Sequence, residues 1–148
     1  MELPNNESPR CYFAVYADPT TPGHVTIEGG RFGNRNMPKN MNVGDMVLLY
    51  CTSSYRIYAK TVPGIGLVTA VDHGLKDFWY DYIAFEEPVP LEFVRFAITE
   101  GDRLRVANIR REWLFQISRE SFSAVMQGTK LKSKGSSGSK ISQPDMLL

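Results

Sequence analysis

No apolar run in this sequence approaches the ~18 residues a membrane-spanning helix needs, so no membrane partner is expected. Cysteine is almost as scarce. Cys11 and Cys51 cannot build a disulfide framework, and they show neither a CxxC nor a Cys/His metal spacing. That excludes a disulfide scaffold and a zinc module, and no cofactor is expected. The acidic, polar start Met1-Glu2-Leu3-Pro4-Asn5-Asn6-Glu7 lacks the basic and apolar regions of a secretory signal. The expected setting is cytoplasmic, with free thiols.

Catalytic signatures are missing too. His24 and His73 are the only histidines, each isolated in a turn-like context without a nucleophile nearby in sequence. Cys51 ends an apolar run and reads as a small core residue rather than a nucleophile. Gly29-Gly30-Arg31-Phe32-Gly33-Asn34 is glycine-rich but fits neither the P-loop nor the dinucleotide fingerprint. Glu86-Glu87 reads as a solvated strand end. An enzyme is not expected.

What remains is an ordinary globular composition. The chain has 148 residues, 43% hydrophobic and 22% charged, which fits one domain. Residues 1–9 read as a loose lead-in, 10–127 as the domain, and 128–148 as a disordered Lys/Ser/Gly-rich tail. The net charge of +1 is uneven: outside that tail, 13 basic residues face 15 acidic ones. A body of about −2 does not hold nucleic acid by bulk phosphate attraction, so any polynucleotide must meet a local patch or pocket.

The pattern between the ends is mostly strand-like. Cys11 to Ala17, Met46 to Cys51, Ile65 to Val71, Trp79 to Phe85 and Trp113 to Ile117 are aromatic or β-branched runs bounded by turn residues. Ser118 to Met126 predicts a helix, with Ser118 as N-cap, Gly128 past its end, and Phe122, Val125 and Met126 on one face. Pro90 to Phe96 fits a helix or a strand. Gly29 to Asn42 predicts a long loop or short irregular helices, and long loops are often functional.

One segment runs against the charge of the body. From Gly29 to Lys60, Arg31, Arg35, Lys39, Arg56 and Lys60 stand against Asp45 alone. Phe32, Tyr50, Tyr55 and Tyr58 are interleaved with them, along with Asn34, Asn36 and Asn40. Aromatic planes stack on bases, amides read base edges, and basic residues hold phosphate. The plainer reading is that the rings pack the core and the charges are solvated.

Asn42-Val43-Gly44-Asp45-Met46-Val47-Leu48-Leu49-Tyr50, preceded by Arg35-Asn36 and Met41, resembles the EVE domain of the PUA-like superfamily. Val62-Pro63-Gly64-Ile65-Gly66-Leu67-Val68, Pro88-Val89-Pro90-Leu91 and Trp113 to Phe122 are similar to its later motifs, in order, over residues 10–127. ASCH and YTH domains are the neighbouring branches. The sequence departs from the family pattern at Glu28 to Gly33, in place of a Trp-x-Gly-Val-Arg-Asn stretch, and at Cys51-Thr52, in place of His-Ser. The resemblance implies an α+β fold, a PUA-like compact mixed β-barrel of about five or six strands flanked by short helices. It also implies a cleft for a modified base in DNA or RNA, with an effector protein encoded nearby as a further partner.

On this reading Arg31 and Arg35 hold phosphate, and Phe32, Tyr50 and Trp79 form the aromatic cage. Asn34, Asn36, Thr52 and Ser53 supply hydrogen bonds. The alternative is a non-catalytic protein-interaction domain that keeps the fold and has lost the nucleotide, as the altered pocket positions suggest.

Overall fold

The computed structural model describes residues 9–20, 26–33, 36–107 and 113–132. Strand β1, Cys11–Tyr16, is buried at every position. Its apolar run has no polar face because the sheet is covered on both sides. Cys11, Phe13 and Val15 enter one core cluster, while Tyr12, Ala14 and Tyr16 enter another. Strand β3, Met46–Cys51, runs parallel to β1 and splits the same way, with Leu48 and Tyr50 on one face and Val47, Leu49 and Cys51 on the other.

The Asn42–Asp45 turn launches β3. Gly44 takes φ +96°, a backbone region that disfavours side chains. The fully buried Asp45 carboxylate accepts from Arg10 N at 2.9 Å and Asn42 N at 2.8 Å. Those charge-assisted bonds offset the cost of burying the carboxylate. The local V-G-D pattern therefore has a structural reason of its own.

Strands β4 (Thr61–Asp72) and β5 (Asp77–Pro90) form a long antiparallel hairpin, with register shifts at Val62/Gly64 and Val68/Ala70 that bend it. Short strand β2, Arg31–Gly33, pairs with β5, and β6, Leu114–Ile117, pairs with β1. The sheet order is β2-β5-β4-β3-β1-β6. Among the described residues the architecture is α+β, a curled six-stranded half-barrel with three helices, α1 (Leu91–Ala97), α2 (Glu100–Ala107) and α3 (Arg119–Gln127). The helices cover one face through Val94, Val106, Phe122 and Val125, and loops carrying Ile27, Met37, Met41 and Tyr55 cover the other. No helix among the described residues is long and apolar enough to cross a membrane.

Helix α3 begins as its sequence predicts, with the Ser118 hydroxyl accepting from Ser121 N at 3.0 Å. The ambiguous run at 90–96 is helix α1. The 29–42 segment, expected as a loop or irregular helices, instead opens with the edge strand β2, directly after the 3-10 turn Ile27–Gly29. Helix α2 is absent from the sequence reading; it has a single buried residue, Val106, and so little amphipathic signal.

The tail boundary moves. Residues 128–132 are part of the fold rather than a disordered segment. Gly128 lies so close to the Phe93 ring that a Cβ there would overlap it. Glu86 N donates to Lys130 O at 2.7 Å, and Lys132 N to Ala84 O at 2.7 Å, so residues 130–132 add a short pairing to the edge of β5. Unpaired strand edges attract such cover because each exposed N–H and C=O needs a partner. The rest of the expected tail, residues 133–148, and all but residue 9 of the lead-in lie outside the described residues.

Candidate functional site

The loop-covered face collects tyrosines. Alternation along the strands directs Tyr16 from β1 and Tyr80 and Tyr82 from β5 to this side. Tyr55 arrives from the turn that follows β3, and Tyr58 from the 3-10 turn Arg56–Tyr58. The Tyr80 hydroxyl donates to Ile27 O at 2.5 Å and meets the Tyr16 hydroxyl at 2.6 Å. Tyr55 Oη accepts from Ile27 N at 3.1 Å. The 3-10 turn at 27–29 is thereby pinned to the sheet by aromatic hydroxyls.

At the outer end of this cluster stands Glu28. Its Oε2 accepts from Tyr58 Oη at 3.0 Å, and its Oε1 lies 3.4 Å from Tyr55 Oη. The Tyr55 and Tyr58 rings stack, with centroids 5.8 Å apart. Glu28 is exposed, Tyr58 and Tyr82 are half-buried, and Tyr16, Tyr55 and Tyr80 are buried. No ion pair reaches Glu28 among the described residues. Burial first, opposed by the Ile27 bond and joined by the Glu28 charge, pushes the Tyr55 hydroxyl up to about 12. Burial is also the main cause holding Tyr58, Tyr80 and Tyr82 above their ordinary value, and Glu28 adds to each. These hydroxyls remain neutral near neutral pH, and the rings around the carboxylate keep the electron-rich faces of un-ionised phenols.

Basic residues border the same rim. Arg56 begins the turn that carries Tyr58, and Lys60 follows at φ +61°, both exposed. The cluster thus has a carboxylate among aromatic rings, and two exposed cationic residues lie next to Tyr58 in the chain.

The structure distributes the predicted site residues over three places. Phe32 and Thr52 both meet Tyr16: the Phe32 ring is 4.8 Å from that of Tyr16, and Thr52 N donates to Tyr16 O at 2.9 Å. Phe32 is only 7% exposed and packs the core, while Ser53 is exposed in the turn leading to Tyr55. Arg31 and Trp79 lie together on the opposite side of the β2–β5 ribbon, since Phe32, Phe78 and Tyr80 fill this one. There the Arg31 guanidinium sits 5.8 Å from the Trp79 ring centre and bonds to Asp77 at 2.7 Å. Tyr50 is on the helix-covered face, 3% exposed and stacked on Phe13 at 5.7 Å. The sheet separates it from Phe32, so the two rings do not belong to one cage. Asn36 is exposed, and Asn34 and Arg35 lie outside the described residues.

Glu28, Tyr16, Tyr55, Tyr58, Tyr80 and Tyr82 are the residues that the expected site lacked. Two local signals point to them, Tyr55 and Tyr58 three apart in the basic segment, and the Tyr80-x-Tyr82 alternation. Two clefts of about 460 and 450 Å³ lie elsewhere, one beside Phe93 and Gly128, the other between α3 and Cys11. None of the predicted site residues lines either.

Cys51 and His73 do not form a pair. Cys51 is opposite Thr61 at the start of β4, whereas His73 follows its end, ~36 Å of extended chain away, with Nε2 3.0 Å from Met41 O. Burial first, and then the Glu28 charge, hold the Cys51 thiol well above its ordinary value. His24 lies outside the described residues.

No protein-family model matches the chain, and no curated protein matches it in sequence. An NMR structure of Rpa0253 from Rhodopseudomonas palustris is similar in fold, with a TM-score of 0.51 and 16% sequence identity, covering 80% of this chain and 93% of that one. At that identity the likeness is one of fold alone, and the EVE-domain resemblance rests on the sequence motifs that carry it.

Proposed function

We propose that this chain is a non-catalytic nucleic-acid-binding module that receives a modified base of DNA or RNA at the tyrosine rim of the loop-covered face. The observation that carries the reading is the pair of half-buried rings Tyr58 and Tyr82 beside Glu28, with exposed Arg56 and Lys60 each two residues from Tyr58 in the chain. A base stacks on exposed ring faces, a carboxylate accepts from its N–H groups, and the edge cations take the phosphate. Because the contacts are local, the slight negative charge of the body does not oppose them. The aromatic surface moves from the Phe32, Tyr50 and Trp79 set of the sequence to Tyr58 and Tyr82. Thr52 and Ser53 stay beside the rim.

Fluorescence anisotropy with short single-stranded DNA and RNA, plain and methylated, tests the proposal. Binding that weakens by about 1–3 kcal/mol in Tyr58→Ala is the expected result. Arg56→Ala should lower the slope of log affinity against log salt by about one phosphate contact. Absence of binding to every oligonucleotide at low salt would sink the reading.

A second reading, a protein-interaction domain, is favoured by the exposed apolar side chains Phe96 on α1 and Leu104 on α2, at 81% and 70%. It predicts that Phe96→Ser abolishes partner capture while Tyr58→Ala does not.

A further inference from the structure

Resting on the base-binding reading, we infer that the tyrosine rim selects a base carrying a positive charge. Glu28 is a carboxylate without an ion-pair partner among the described residues, and hydroxyls from Tyr55 and Tyr58 orient it. Each carboxylate oxygen has a second lone pair, so one acceptor site per oxygen stays open toward solvent. Around it stand the stacked Tyr55 and Tyr58 rings, with Tyr82 half-buried beside them. Electron-rich ring faces attract cations, most strongly where water is partly excluded, and a neighbouring carboxylate adds to that attraction. A neutral base gains stacking from the same rings but leaves the Glu28 charge uncompensated. A ring-methylated base that is a cation at neutral pH gains both.

The edge of the rim narrows the ligand class further. Arg56 is in the same short turn as Tyr58, and Lys60 is two residues beyond Tyr58. A ligand that meets both Glu28 and these neighbouring cations is cationic at one end and anionic at the other. A nucleotide whose base is a cation has that charge separation built in. A methylated lysine peptide presents the cation without the anion and meets repulsion at Arg56 and Lys60.

The discriminating pair is 1-methyladenosine and N6-methyladenosine 5′-monophosphate, isomers with one methyl each, of which only the first is a cation at neutral pH. Isothermal titration of the full chain should show the 1-methyl isomer binding at least tenfold more tightly. In Glu28→Gln, which keeps the size of the side chain and an amide oxygen, the preference should fall below about threefold while N6-methyladenosine affinity changes little. Tyr58→Phe keeps the ring but loses one of the two hydroxyls that orient Glu28, so it should lower the preference less than Glu28→Gln does. Equal affinities in the wild type, or a preference for the neutral isomer, overturn the charge inference and leave the base-binding reading standing. Binding of neither nucleotide overturns both. Tighter binding of a trimethyllysine peptide than of 1-methyladenosine monophosphate also overturns the inference. Thermal melts of both variants establish that the fold is intact.

Discussion

Ser121 donates to Asp102 across 2.6 Å and so locks α3 to α2. The same carboxylate oxygen accepts from Ser118 N and the Ser118 hydroxyl, both at 2.9 Å, and from Thr99 at 3.1 Å. Ser121 is fully buried. Burial acts to raise the Asp102 carboxyl, but the bonds from Ser121, Ser118 and Thr99 outweigh it and leave the group below its ordinary value. A carboxylate with a lowered folded-state pKa stabilises the fold above its unfolded value, about 4, and loses that contribution as pH falls through the folded one. Asp102→Asn should cost about 1–3 kcal/mol at pH 7. Melting curves from pH 7 to pH 3 should show wild type and variant converging at the acid end.

Tyr80→Phe removes one oxygen from the inner end of the candidate site. It leaves Ile27 O and the Tyr16 hydroxyl without their shared partner, both in buried surroundings. The expected loss is about 1–3 kcal/mol in urea denaturation, because a buried orphan keeps its full desolvation penalty. The Tyr16→Phe, Tyr80→Phe double variant should lose less than the sum of the two single losses.

Cutting the chain after Lys132 should leave the melting temperature close to that of the full chain, since the described core closes without residues 133–148. Cutting after Thr129 removes the Lys130–Lys132 pairing on β5, including the bonds of Glu86 N and Lys132 N. At about 1 kcal/mol per backbone bond, that truncation should cost roughly 2 kcal/mol and lower the melting temperature by several degrees. An unchanged melt after the second cut would return 130–132 to the tail.

Both thiols should resist Ellman's reagent at pH 8 until the protein is denatured. Burial pushes Cys11 up to about 11 against the opposing pull of Arg119, and holds Cys51 above its ordinary range. The thiolate is the reacting species, so little is present on either buried sulfur. Rapid native labelling of Cys51 would show that the loop-covered face opens.

The strands were legible because their signal is local. The runs beginning at Cys11, Met46, Ile65, Trp79 and Trp113 are aromatic and β-branched, and each lies within or largely overlaps an observed strand. The Ser118 cap and the Phe122, Val125, Met126 spacing likewise fixed α3. Helix α2 escaped because its stability comes from Asp102 bonding to Ser118 and Ser121, partners 16 and 19 residues away. Lys130 to Lys132 escaped for the same reason, since their partners are on β5.

Composition and order of residues thus determined five of the six strands, the helix α3 and a body without bulk positive charge. Only the tertiary structure decided which aromatic faces which core. Strand alternation states that Phe32 and Arg31 point opposite ways, but which side the loops cover depends on contacts that close over long stretches of chain. That is why Tyr50, a strand residue with a promising neighbourhood in sequence, packs on Phe13 beneath the helices. Glu28, unremarked among its glycines, is held by Tyr55 and Tyr58 some 30 residues on, because a carboxylate at a rim is positioned by whichever hydroxyls the fold brings to it.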